Sequence, residues 1–198
     1  MGSFCASCAD RGALQDRPSE SWNMTDKKFM NAVANAETDT LQHLLKILVE
    51  TSSAYCAVGD FAVNAYAEPV VSLDLDVIVT ADKVDAVTAA AEAQGLKVEQ
   101  CEHRVNLTSE KSDLRIQLQT DARYQEFLAR SAERDILGYR LRVASLEDVL
   151  QGKVWAYLDK SRRRSKRQKD LADIMRLVEA HPTLEAQLPP TIRQLLQE

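Results

Sequence analysis

Residues 55–80, YCAVGDFAVNAYAEPVVSLDLDVIVT, set two carboxylates into an otherwise apolar strand. Tyr55 to Val58 is a short apolar run that stops at Gly59, the pattern of a buried strand ending in a turn. Asp60 can cap a short helix through Phe61, Ala62, Ala65 and Tyr66, and Pro69 then forces the chain into extended backbone. A second strand follows over Leu73–Val79, with Asp74 and Asp76 on it. Side chains two apart on a strand share a face, so the two carboxylates project together, away from Leu73, Leu75 and Val77. Like charges so placed repel unless a cation lies between them. A divalent ion answers that need, because Mg²⁺ is held by one or two carboxylates plus substrate phosphates. A bare Asp-x-Asp on its own fits a solvated edge or turn equally well. The Gly turn one short helix upstream and the apolar strand give the pair its weight.

The rest of the chain bounds the architecture. A length of 198 residues with 45% apolar content suits one globular domain. No apolar run can span a bilayer and no secretory h-region is visible, which points to a cytoplasmic protein with no membrane role. Cys5, Cys8, Cys56 and Cys101 fit reduced thiols there, with Cys56 a small core residue. Residues 1–23 lack periodicity and read as a flexible leader before a single domain over 24–198. Cys5-Ala-Ser-Cys8 is half a zinc site without its other half, and incidental thiols explain it better. Phe29, Val33, Leu41, Leu44, Leu45 and Leu48 give residues 25–50 a helical stripe, interrupted by a weak stretch at 35–39. His43 among these leucines is a packing or surface residue.

Beyond the Asp-x-Asp strand, Asp82 to Gln94 is helical and Gly95 ends it. Leu96–Cys101 and Leu114–Leu118 alternate as half-exposed strands. Residues 121–134 suggest a helix, and 136–143 a hairpin or a strand turning at Gly138. Ser145 caps a helix carrying Leu150, Lys153 and Trp155, and further helices follow over about 168–180 and 190–197. The fold class is therefore α+β, a mixed β-sheet core at about 50–144 with flanking helices and a C-terminal helical segment at about 145–198.

On these residues the chain resembles the nucleotidyltransferase superfamily of DNA polymerase β-like fold, and within it the AbiEii toxin-like group. Gly59-Asp60-Phe61-Ala62, Tyr66 and Ser72-Leu73-Asp74-Leu75-Asp76 stand in that group's "G-G-x-A-x-x-x-Y … R-x-T-x-D-x-D" pattern. Asp60 replaces a small Gly or Ser, and Val70 and Val71 stand where an Arg is often seen. Leu150, Lys153 and Lys169-Asp170-Leu171-Ala172-Asp173-Ile174 match its "Leu-x-x-x-Lys … Lys-Asp-x-x-Asp-Ile" segment. The resemblance implies Mg²⁺ on Asp74 and Asp76, a catalytic set of Asp74, Asp76, Lys153 and Asp170, and nucleotide contacts from Gly59, Asp60, Ser72 and Lys153. It implies transfer of a nucleotidyl group from an NTP to a protein or RNA acceptor, as in a toxin–antitoxin component with an antitoxin partner. A third carboxylate is often placed on a later strand. Here that position is Gln117, with Asp113 and Asp121 at the strand ends as alternatives. A neutral amide holds a metal weakly. Gln117 and Asp60 thus favour the alternative, a catalytically weakened nucleotide- or RNA-binding protein of the same fold. A purely structural partner is a weaker third reading.

Charge is unevenly spread. Lys153–Arg176 carries nine Lys or Arg against three Asp or Glu, so the remainder is −11 in a chain of net −5. The run Lys160–Lys169 reads as a solvated loop or helix end, or as a track for a phosphate backbone. No aromatic residue interleaves with it, which speaks against base stacking along the run.

Overall fold

The computed structural model describes residues 20–196; Cys5, Cys8 and most of the expected leader lie outside the described residues. The first helical stretch is two helices, α1 (Glu20–Val33) and α2 (Thr40–Glu50). The weak stretch between them holds Asn35 in the left-handed region at φ 45°. Asp39 starts α2 by accepting from the Gln42 amide at 2.9 Å. Then come β1 (Tyr55–Val58), α3 (Gly59–Val63), β2 (Asp74–Val79), α4 (Val84–Ala93), β3 (Lys97–Cys101), β4 (Arg104–Ser109) and β5 (Ser112–Gln119). The chain closes with α5 (Phe127–Arg130), β6 (Ala132–Ile136), β7 (Tyr139–Val143), α6 (Leu146–Leu158), α7 (Arg164–Ala180) and α8 (Pro190–Leu196).

The strands form one mixed seven-stranded sheet in the order β3-β4-β5-β2-β1-β7-β6. The α+β class is as expected. β2 lies at the centre, antiparallel to β1 and parallel to β5. Its alternation is as the sequence implied: Leu75 and Val77 are buried with Ile116, Leu118 and Leu107 in the core, and α2 and α4 pack beside them. Asp74 and Asp76 take the opposite face. There α3, α6 and α7 pack together over the β1 side. The β5-β4-β3 side carries polar residues, among them Asn106, Gln117 and Gln119, which line an open cleft.

Three segments differ from expectation. β4 was not anticipated, although Arg104-Val105-Asn106-Leu107-Thr108 alternates: Val105 and Leu107 are buried and their neighbours are not. Residues 121–134 are not one helix. A single turn at Ala122–Tyr124 and the short α5 precede edge strand β6, whose residues Ala132 to Asp135 have no apolar face to seat a helix. Arg142 of β7 holds the junction by donating to the Ser131 carbonyl at 2.6 Å. The third difference is α7, which begins at Arg164, so half of the basic run is helix rather than loop. The hairpin at Gly138 is present, with Leu137 and Gly138 at φ 48° and 78°, the signs of a type I′ turn.

Candidate active site

The turn after β1 and the strand β2 are built against each other. Gly59 has φ +68°, and a Cβ on it would run into Asp76 Oδ2 and lie 3.0 Å from Asp76 Cγ. Only glycine satisfies both the left-handed backbone and the close approach. Asp76 is half-buried, and its one side-chain partner among the described residues is the Gln119 amide, which donates at 3.0 Å. Burial pushes its carboxyl up to about 6; the Gln119 hydrogen bond opposes this and the nearby Asp60 charge adds to it. Asp74 is buried and paired with cations: Arg115 of β5 at 2.8 Å and Lys166 of α7 at 3.2 Å. The two acids share one face of β2, beside a cleft of about 1340 Å³.

A second acid cluster lies next to the first. Asp60, Asp170 and Asp173 bring carboxylate oxygens within 4.8 Å of one another, a spacing that would suit a metal ion. The space is taken. Lys153, itself 2% exposed, pairs with Asp60, with Asp173 at 2.6 Å and with Asp170 at 3.2 Å. Lys169 also pairs with Asp60, Arg162 with Asp170 at 3.2 Å, and Arg176 with Asp173 at 2.7 Å. Burial would raise the Asp60 carboxyl, but Lys153 and Lys169 outweigh it and hold it well below the ordinary carboxylate range. Burial would likewise lower the Lys153 ammonium, but Asp60, Asp173 and Asp170 hold it charged and above its usual value.

Of the residues singled out in the sequence, Gly59, Asp60, Asp74, Asp76, Lys153 and Asp170 all border the cleft. Ser72 does not: it is buried, and its hydroxyl accepts from the Asp74 amide at 3.3 Å. Lys153, expected to face phosphate, has its ammonium engaged by three carboxylates. Gln117 pairs across the sheet with Asp76 and lines the cleft. The alternative third acids have other partners: Asp113 accepts from Asn35 at 2.6 Å, and Asp121, which lines the cleft, accepts from Arg123. The sequence places Arg115 on the polar face of its strand with Gln117, and Lys166 and Lys169 within a basic run, but it assigns none of them to Asp74 or Asp60. Lys166, Lys169, Asp170 and Asp173 fall at i, i+3, i+4 and i+7, one helix face, which would have separated them from the solvated Arg164.

No protein-family profile and no curated protein matches the chain in sequence. Solved structures do match. One is ANT(2'')-Ia, described as an antibiotic-resistance factor, with TM-score 0.55 and 18% identity over 80% of this chain and 90% of that one. Another is the lincosamide antibiotic adenylyltransferase LnuA, solved with lincomycin bound, at TM-score 0.52 and 14% identity over 72% and 99%. A third is an antigenic nucleotidyltransferase-like protein from Paracoccidioides brasiliensis, at TM-score 0.51 and 14% identity over 85% and 92%. At these identities the likeness establishes a shared fold: the chain has the nucleotidyltransferase fold. Among the described residues no helix is long and apolar enough to cross a membrane.

Proposed function

We propose that the chain is a nucleotidyltransferase that moves a nucleotidyl group from an NTP to a hydroxyl of a small polar acceptor. The observation that carries this is the pairing of Asp74 and Asp76 on one strand face with a Gly59 turn that admits nothing larger than hydrogen beside Asp76. Hard oxygen ligands of this kind fit Mg²⁺, and among the described residues Asp76 has no salt-bridge partner. Bound there, Mg²⁺ would neutralise charge on the phosphates. Lys166 and Arg115, now on Asp74, and Lys169, now on Asp60, are free to turn to phosphate oxygens once a metal relieves the acids. The acceptor hydroxyl gives up its proton to solvent in the cleft as its oxygen bonds to the α-phosphorus and the bond to pyrophosphate breaks. Lys153 acts as a positioning residue, fixing the Asp60 turn to α6 and α7.

The cleft of about 1340 Å³ exceeds the roughly 300–1,000 Å³ of a single-ligand pocket, which leaves room for a small acceptor beside a nucleotide. Similar folds also include proteins described with lincomycin or adenylyl-2''-tobramycin bound. An RNA or protein acceptor, an antitoxin partner and a cytoplasmic location rest on the sequence pattern. A second reading, a binding protein without turnover, is favoured by Gln117 opposite Asp76, because a neutral amide leaves a second metal short of an anionic ligand. The test is an α-labelled NTP added with Mg²⁺ and cell extract, then split by size. Label in the small-molecule fraction supports the proposal, label in RNA or protein moves the acceptor, and binding without label selects the second reading.

A further inference from the structure

Trp155 and Tyr124 of the cleft wall belong to a stack that the phosphate chemistry does not use, with Phe127 buried behind them. Phe127 and Trp155 lie face to face, 14° apart in plane with centroids at 5.8 Å. Tyr124 meets both edge-on, at 5.3 and 5.4 Å, and locks them in place. The Arg123 guanidinium lies over the Trp155 ring, its Cζ 5.2 Å from the ring centroid. Asp121 fixes it further: Arg123 Nη2 donates at 2.6 Å, and Nε donates at 2.9 Å and 3.2 Å. The Arg123 side chain is 62% exposed and borders the cleft together with Tyr124 and Trp155. The charge is matched by Asp121, so the group offers the cleft a fixed plane more than a free cation. Arginine planes of this kind stack nucleobases. β5 leads to it directly, from Gln117 opposite Asp76, through Gln119 bonded to Asp76, to Asp121.

We propose that Arg123, held by Asp121 and backed by Trp155 and Phe127, is the platform on which the base of the bound nucleotide stacks. This rests on the nucleotidyltransferase reading above and adds a base subsite to it. The platform recognises a planar aromatic ring, so it contributes to binding a nucleotide and nothing to binding a bare polyphosphate.

The experiment compares Mg²⁺-dependent binding of non-hydrolysable ATP and of inorganic tripolyphosphate by calorimetry. It uses wild type, Arg123→Ala and Arg123→Lys, with thermal unfolding to verify that each variant is folded. The ATP analogue should bind about five- to a hundredfold more weakly to Arg123→Ala. Arg123→Lys, which keeps the charge but loses the plane, should also be weakened, and tripolyphosphate affinity should be the same in all three. Equal weakening toward both ligands makes Arg123 a phosphate contact and overturns the platform. Unchanged ATP affinity overturns it as well, while leaving the nucleotide reading intact. Wild type that binds neither ligand overturns that reading, and the platform with it.

Discussion

Two groups of carboxylates lie side by side in this protein, and their partners set them apart. Asp60, Asp170 and Asp173 converge closely enough to ligate a metal, yet Lys153 fills the space and Lys169, Arg162 and Arg176 finish the neutralisation. Asp74 and Asp76 are only two acids. Asp74 is held by cations borrowed from the cleft rim, and Asp76 accepts from a neutral amide. Spacing alone singles out the first group; in the proposed reading the metal goes to the second, because the first already holds its cations. The trio is a closed salt-bridge knot tying α3 to α6 and α7, whereas Asp76 of the pair has no salt-bridge partner among the described residues.

The largest effect that can break this contrast comes from Lys153→Met, which keeps the length of the side chain and removes its charge. Buried carboxylates would then lose their shared cation, at a cost of about 3–5 kcal/mol. Urea unfolding at pH 7 should show that loss. Without Lys153, burial pushes the Asp60 carboxyl up with only Lys169 opposing it, so the variant's deficit should shrink as pH falls. The depressed Asp60 carboxyl of wild type adds no such trend above the ordinary 3.8: its stabilising contribution is complete there and is lost only below it. A Lys153→Met protein as stable as wild type would mean that the knot does not hold the fold.

Asp76→Asn should have the opposite sign. The folded carboxyl sits at about 6 against an ordinary 3.8, so ionised Asp76 destabilises the metal-free protein above pH 6. Asparagine should therefore stabilise at pH 8 by at most about 3 kcal/mol, a gain that fades between pH 6 and 4 as the wild-type carboxyl is protonated. The same variant should lose Mg²⁺-dependent nucleotide binding. Thermal unfolding across that pH range checks the first outcome, and a destabilised variant at pH 8 would remove Asp76 from the list of open acids.

A smaller effect sharpens the comparison along α7. Lys166→Ala should weaken tripolyphosphate binding about tenfold, the scale of one charge-assisted hydrogen bond. Arg164→Ala, on the exposed side of the same helix, should leave it unchanged. Equal losses would make the basic run a diffuse electrostatic surface.

The central half of this site was legible in sequence because its signals are local. Strand alternation puts Asp74 opposite Leu75, and Gly59 marks a turn whatever surrounds it. Lys153 and Asp170 could be placed on helices and near the site, but not assigned partners. Whether a buried lysine faces phosphate or three carboxylates depends on contacts across roughly a hundred residues of chain, with Asp60 at one end and Asp173 at the other. Pairing of Asp74 with Arg115 and Lys166 is likewise a contact between segments distant in sequence. Edge strand β6 was lost for another reason: four solvent-facing residues in a row carry no periodicity, and only pairing with β7 makes them a strand.

The most direct measurement is the anomalous density of a crystal soaked with Mn²⁺ and a non-hydrolysable NTP. The account predicts one or more metal peaks at Asp74 and Asp76, with Lys153 still seated among Asp60, Asp170 and Asp173. A peak inside that trio with Lys153 displaced, and none at Asp76, would contradict it.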